Sequence, residues 1–190
     1  MYFRRQLVIF ISVVIIGTIL GLLGMGDFSS TNRIAYFWPG AVVQSVAGVF
    51  FGMIGVMAGT TFPIFSDAMS GITLIKVLVW IPANFVQSFI PYLVKKIFKF
   101  EPCEFNKKTV ICFIVGCSVI PHLVGSIVAS LGYYSLHEMA TLKEQIGVFL
   151  NWITSNISIS IIFGLLLLKF FAPALRKCKI YDEMETESRL

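Results

Sequence analysis

Apolar residues run along this chain in long segments with almost no charge, separated by short polar stretches, and none alternates apolar with polar as a half-buried strand would. The segments fall at about 7–23, 36–51, 53–65, 72–94, 109–131 and 146–168. Their unbroken character disfavours a β-barrel, whose strands alternate. The stretch 36–71 organises the rest. It carries no charge before Asp67 and is punctuated by Gly40, Gly48, Gly52, Gly55 and Gly59. It is too long for a single crossing of an apolar layer that takes about 20 helical residues, so it must turn back. Phe51-Gly52-Met53 is the expected turn, because glycine tolerates the backbone angles of a tight reversal. Gly48 and Gly52, then Gly55 and Gly59, share helix faces and suit close helix packing. The hairpin ends, Trp38-Pro39 and Ser66-Asp67, are expected to meet at one membrane surface.

Composition fits this picture. Of 190 residues, 57% are hydrophobic and 13% charged, and the mean hydropathy of +0.86 lies outside the range of soluble domains. The expected fold is an all-α integral membrane protein, a compact bundle of six transmembrane helices. One domain covers 1–179, and 180–190 is expected to form a flexible acidic cytoplasmic tail. The net charge of +5 reflects topology rather than nucleic-acid binding. With the N-terminus inside, twelve of the fifteen basic residues fall on inner segments: Arg4, Arg5, Lys95, Lys96, Lys99, Lys107, Lys108, Lys169, Arg176, Lys177, Lys179 and Arg189. Arg33 and Lys143 fall outside, and Lys76 lies within the fourth segment. Both termini are therefore expected to be cytoplasmic, in a multi-pass protein of the cell membrane. The first segment follows Arg4-Arg5 and is long for a signal peptide, so it is expected to remain as a helix.

Ionisable and strongly polar groups inside an apolar layer are expensive, and their positions therefore point to function. Lys76 lies about one turn inside the outer end of the fourth segment, with Trp80, Asn84 and then Gln87 or Ser88 following on one helical face. It would bind a carboxylate or phosphate on a ligand; alternatively it reaches the surface or pairs with Asp67. The sixth segment carries Asn151, Trp152, Thr154, Ser155, Asn156 and Ser158, with Asn151, Ser155 and Ser158 expected on one face, for a ligand or for interhelical hydrogen bonds. Gln44 and Ser45 are expected to make structural polar contacts, and His122, beside Pro121, to be a satisfied interior histidine. Trp38 and Tyr36 suit an interfacial belt or stacking on a ring-shaped ligand.

Cys103, Cys112, Cys117 and Cys178 have no metal-ligand spacing, Cys112 and Cys117 read as small core residues, and no metal or cofactor is expected. Hydrolytic motifs and phosphate-binding loops are absent from the sequence, so a membrane-embedded enzyme is the weaker class. Polar groups converging near the outer side describe a pocket for a small molecule.

The chain resembles the substrate-binding S components of energy-coupling factor (ECF) vitamin transporters. The likeness lies in its size and six-segment pattern, in Phe37-Trp38-Pro39-Gly40 leading through Gly48-Val49-Phe50-Phe51-Gly52 and Gly55 to Ser66-Asp67, and in Trp80-Ile81-Pro82-Ala83-Asn84-Phe85-Val86-Gln87 with its basic exit. The resemblance implies a non-catalytic subunit that captures a vitamin or related micronutrient in an outward-facing pocket. Lys76, Trp80, Asn84, Asn151, Ser155, Asp67 and Trp38 are the candidate ligand-binding residues. It also implies a membrane T component and two cytoplasmic ATPase subunits as partners. The family's first helix docks on the T component through small alanines four apart, where this chain has Gly17 and Gly21. A membrane sensory input domain, or a small self-sufficient transporter, is the alternative class.

Overall fold

The structure, a computed structural model, describes residues 2–24, 37–136 and 141–177. The loop at 26–33, Tyr36, His137, Glu138, Cys178 and the tail at 180–190 lie outside the described residues. Within them the fold is helical, without strands, and five helices are long and apolar enough to cross a membrane. These are α1 (Tyr2–Gly24), α2 (Gly40–Met69), α3 (Leu74–Phe98), α4 (Lys107–Ser135) and α5, which passes from Leu142–Leu166 through a π-helical turn, Leu167–Phe171, into Ala172–Lys177.

Two of the segments read from the sequence, 36–51 and 53–65, fall within α2, which is two helical arms joined by a reversal at Gly52. Gly52 carries φ 61° and ψ −142°, a combination that residues with a Cβ essentially never adopt. Beyond it the chain retraces its path. Gly55 lies directly on the Ala47 carbonyl, Gly59 faces the Cα of Gln44, and the Trp38 ring stacks on Phe62 with centroids 5.9 Å apart. Residues 40–51 and 53–69 are thus antiparallel arms, about 18 Å and 25 Å long by helical rise. The ends of the arms lie together: the Cβ position at Gly21 is 2.8 Å from Ser66 and 3.6 Å from Trp38 Nε1, so Trp38 stacks on Phe62 and also reaches Ser66, as expected of the hairpin ends.

Helix α1 runs parallel to the second arm, with Gly17 against the Phe62 ring and Gly21 against Ser66. Helices α3 and α4 are antiparallel, joined where Gly116 meets Val94, Gly125 meets Gln87 and Gly132 meets Val79. Missing Cβ atoms let these backbones approach closely, a gain of dispersion contact that matters where apolar surroundings remove the hydrophobic drive. Helix α5 returns along α4, with Gly164 on the Phe113 ring.

These directions sort the ends of the bundle. The Gly52 turn, the start of α1, the 99–106 link and the end of α5 share one end, and with them Arg4, Arg5, Lys95, Lys96, Lys99, Lys107, Lys108, Arg176 and Lys177. An apolar cluster of Val49, Phe50, Val94, Phe100, Cys103, Phe113, Cys117, Leu168 and Ala172 closes that end. The link is ordered by local bonds: Asn106 Oδ1 accepts from Thr109 N at 3.0 Å, capping α4, and the Thr109 hydroxyl donates to the Glu101 carbonyl at 3.0 Å. Arg176 and Glu104 pair at 3.4 Å across it.

Burial is inverted relative to a soluble bundle. Ile15, Ile16, Ile19, Leu74, Ile75, Leu131, Ile162 and Phe170 are exposed, whereas Gln44, Ser45, Asn84, Gln87, Ser118, His122 and Ser160 are buried. Such an arrangement is stable where the surroundings are themselves apolar.

Replacing Gly52 by alanine puts a Cβ on strained backbone and is expected to cost about 1–3 kcal/mol. Gly147 on α5 has nothing within 4 Å of its Cβ position, so Gly147→Ala should be neutral or slightly stabilising, by up to about 1 kcal/mol. Thermal melts of the two purified variants against the parent check the pair; a Gly52→Ala protein as stable as the parent would refute the strained reversal.

Candidate functional site

The reversal at Gly52 brings the first arm of α2 into the middle of the bundle, where its two consecutive polar residues meet three other helices. Gln44 Nε2 donates to Asn84 Oδ1 on α3 at 3.0 Å. Ser45 Oγ donates to the Ala41 carbonyl at 3.1 Å, lies 3.2 Å from His122 Nε2 on α4, and lies 2.6 Å from Ser160 Oγ on α5. Ser160 Oγ in turn lies 2.8 Å from Ser118 Oγ. A hydroxyl has one proton. With the Ser45 proton on the Ala41 carbonyl, the imidazole must present Nε2–H, which leaves Nδ1 as a lone-pair acceptor. That nitrogen has no partner among the described residues.

Ser118 belongs to a π-helical stretch of α4, Cys112–Val119, immediately ahead of Pro121. Proline lacks an N–H, so the helix here cannot keep regular bonding, and the wider turn takes up the mismatch. Local chemistry thereby sets how Ser118 and His122 are presented to Ser45 and Ser160.

Next to this network sits a second group of buried polar atoms that lack partners among the described residues. Gln87 is completely buried, and neither Oε1 nor Nε2 of its amide is bonded. Gln44 Oε1, Ser88 Oγ, Ser155 Oγ and the indole nitrogens of Trp80 and Trp152 are in the same condition. Each such group costs about 1–3 kcal/mol while unpaired. Towards the end of the bundle away from the basic residues, Trp80 is flanked by Tyr133, at 5.1 Å between ring centroids, and by Trp152 at 5.8 Å and 83°. Edge-to-face rings of this kind cohere without filling all their polar valences.

The sequence-derived candidates are brought together only in part. Trp80, Asn84 and Ser155 are buried in this region, and Lys76 and Asp67 are buried on either side of the short connection between α2 and α3. That connection is held by Ser70 N and Ile72 N donating to the Asp67 carbonyl, at 3.2 and 3.0 Å. Asn151 is a backbone position on α5 whose side chain lies outside the described ones. Trp38 lies elsewhere, in the cluster of Val13, Ala41, Ala58 and Phe62 where α1 meets the hairpin. Gly17 and Gly21 are buried against the second arm rather than presented on an open face. On α5 the expected face of Asn151, Ser155 and Ser158 is shifted: Ser158 is exposed, and the buried polar positions are Ser155, Asn156 and Ser160. Ser118 and Ser160 carried no sequence signal beyond the proximity of Ser118 to Pro121 and His122.

Among the described residues no group of three or more His, Cys, Asp or Glu side chains could hold a metal ion. No protein-family model, curated protein or solved structure matches the chain.

Ser160→Ala removes the hydroxyl shared by Ser45 and Ser118. It should destabilise the protein by about 1–3 kcal/mol, and a double-mutant cycle with Ser45→Ala should show a coupling of at least about 0.5 kcal/mol, since both residues serve one network. Additive losses in denaturant or thermal titrations would mean that the two serines act independently.

Proposed function

We propose that the chain is the small-molecule-binding subunit of an ATP-driven uptake transporter of the ECF type, embedded in the cell membrane. Both arms of α2 cross on this reading, making six spans with both termini cytoplasmic, and the basic end of the bundle faces the cytoplasm. The observation that carries the reading is the set of buried, unpartnered polar atoms beneath the Trp80, Tyr133 and Trp152 rings. A bundle surrounded by lipid has no general reason to keep several unpaired polar groups in its interior, each at a cost in stability. A binding site for a polar molecule needs them. Lys76 and Asp67, at the same end, supply charge near the mouth.

The chain on this reading does no chemistry itself and relies on a T component and two ATPase subunits for energy. Since Gly17 and Gly21 pack internally, the face of α1 left for a partner or lipid is the exposed apolar one, with Val8, Ile11, Ile15 and Ile19.

Native mass spectrometry of the gently extracted protein tests the proposal. A retained vitamin-like molecule, with T and ATPase subunits recruited to the complex, is the expected result. A protein that retains nothing, is stabilised by no vitamin in a thermal-shift panel and recruits no ATPase would overturn it in favour of a sensory role. Lys76→Ala should lower affinity for the retained molecule by about 1.5–3 kcal/mol, the worth of a hydrogen bond to a charged group, as read by isothermal titration; an unchanged affinity removes Lys76 from the site.

A further inference from the structure

We infer that the Gln87 amide is an anchoring point for a ligand bearing a neutral edge of adjacent N–H and C=O groups, as a lactam, a ring imide or a primary carboxamide presents. The inference rests on the small-molecule-binding reading above and adds the chemical class that the deep part of the site takes. An amide displays one acceptor and a neighbouring donor, and the group that satisfies both at once is another amide-like edge, paired in two parallel hydrogen bonds.

Three features point the same way. The amide is held in place rather than loose, since Gln87 lies against the bare α4 backbone at Gly125, where any Cβ would collide with its Cγ and Nε2. Room for this side chain therefore depends on glycine opposite. Gln87 also shares a helical face with Trp80 and Asn84, at spacings of four and three residues. Asn84 is already engaged by Gln44, which leaves Gln44 Oε1 as a further acceptor nearby. Finally, the unpartnered groups in this region, on Gln44, Gln87, Ser88, Trp80, Trp152 and Ser155, are all uncharged. An ionised ligand group at this depth would lose its hydration and meet no countercharge, whereas a neutral donor and acceptor pair exchanges water bonds for protein bonds at little cost. The Trp80, Tyr133 and Trp152 rings lie between Gln87 and the end of the bundle and suit a flat molecule. Entry requires these rings to part, because the amide is sealed from solvent.

The test uses full-length protein in lipid nanodiscs, with uracil, 2-pyridone and nicotinamide as probes and 1,3-dimethyluracil and N-methyl-2-pyridone as ring-matched controls whose edge is blocked. Binding is read by saturation-transfer NMR at millimolar probe, alongside thermal melts of the parent, Gln87→Leu and Gln87→Met. The expected result is that at least one open-edged probe binds the parent, that its blocked counterpart and both variants bind it tenfold more weakly or not at all, and that the variants melt at or above the parent temperature without probe. Two variants of different shape guard against one that fails to fold. The inference is overturned if no open-edged probe binds, if blocked and open probes bind alike, if the variants bind as the parent does, or if both variants melt well below it, which would mark the amide as part of the structural network. The molecule retained in native mass spectrometry separates the two levels of the argument. A retained molecule without such an edge removes this inference and leaves the binding reading standing, whereas no retained molecule together with an empty vitamin panel removes the reading itself.

Discussion

One backbone conformation that only glycine adopts, at Gly52, governs the interior of this protein. Because the chain reverses there, the first arm of α2 re-enters the bundle and places Gln44 and Ser45 against α3, α4 and α5 simultaneously. A straight helix over the same 30 residues would span about 45 Å and could not present both Ala47 and Gly55, or Trp38 and Phe62, to each other. The glycines at 48, 55 and 59 then matter for a second reason, since they let the arms and α3 approach to backbone contact. Turn and packing are thus two consequences of the same residue type, used at different positions.

The polar core that results is held by few bonds of modest strength. Interhelical hydrogen bonds in apolar surroundings average under about 1 kcal/mol in direct measurements, because the separated helices also find partners. The Ser118, Ser160, Ser45 and His122 chain therefore contributes more through geometry than through energy: it fixes the register of α4 and α5 on the first arm. The neighbouring unpaired groups weigh on the other side. A fold that satisfies every hydroxyl in one cluster and leaves an entire glutamine amide unmet a turn away is not limited by what the chain can pair. On the binding reading proposed above, that difference separates a structural network from a binding surface.

Much of the architecture was legible in the sequence because it depends on local chemistry. Length of apolar runs marks the helices, the glycine at 52 marks the reversal, and the four-residue spacing marks the face that holds Trp80 and Asn84. What stayed hidden depends on partners distant along the chain. Ser45 and Ser160 are 115 residues apart, and no periodicity within α5 says that its buried face should rotate to exclude Ser158. Trp38 looked equivalent to Trp80 as an aromatic at a helix end, yet it packs where α1 meets the hairpin, beside Phe62 and Ser66, and not with the Trp80 rings. The pair Gly17 and Gly21 reads equally well as a face for another protein or for the protein's own second arm. Only the position of Phe62 and Ser66 decides.

The distribution of charge deepens this contrast between local and distant information. Basic residues scattered over four separate segments of sequence converge on one end of the bundle, so the field they create belongs to the fold and not to any motif. Lys76 and Asp67 are buried at the opposite end, and between the two ends the described core holds neutral polar groups only, apart from a histidine whose ring is wholly buried. A ligand entering from the Lys76 end would leave its charge there and bring only neutral groups further in. On the small-molecule-binding reading proposed above, recognition would be layered by depth, with charge read at the mouth, ring shape at the Trp80 cluster and hydrogen-bond pattern at Gln87, and a molecule would have to satisfy each layer in turn to reach the next.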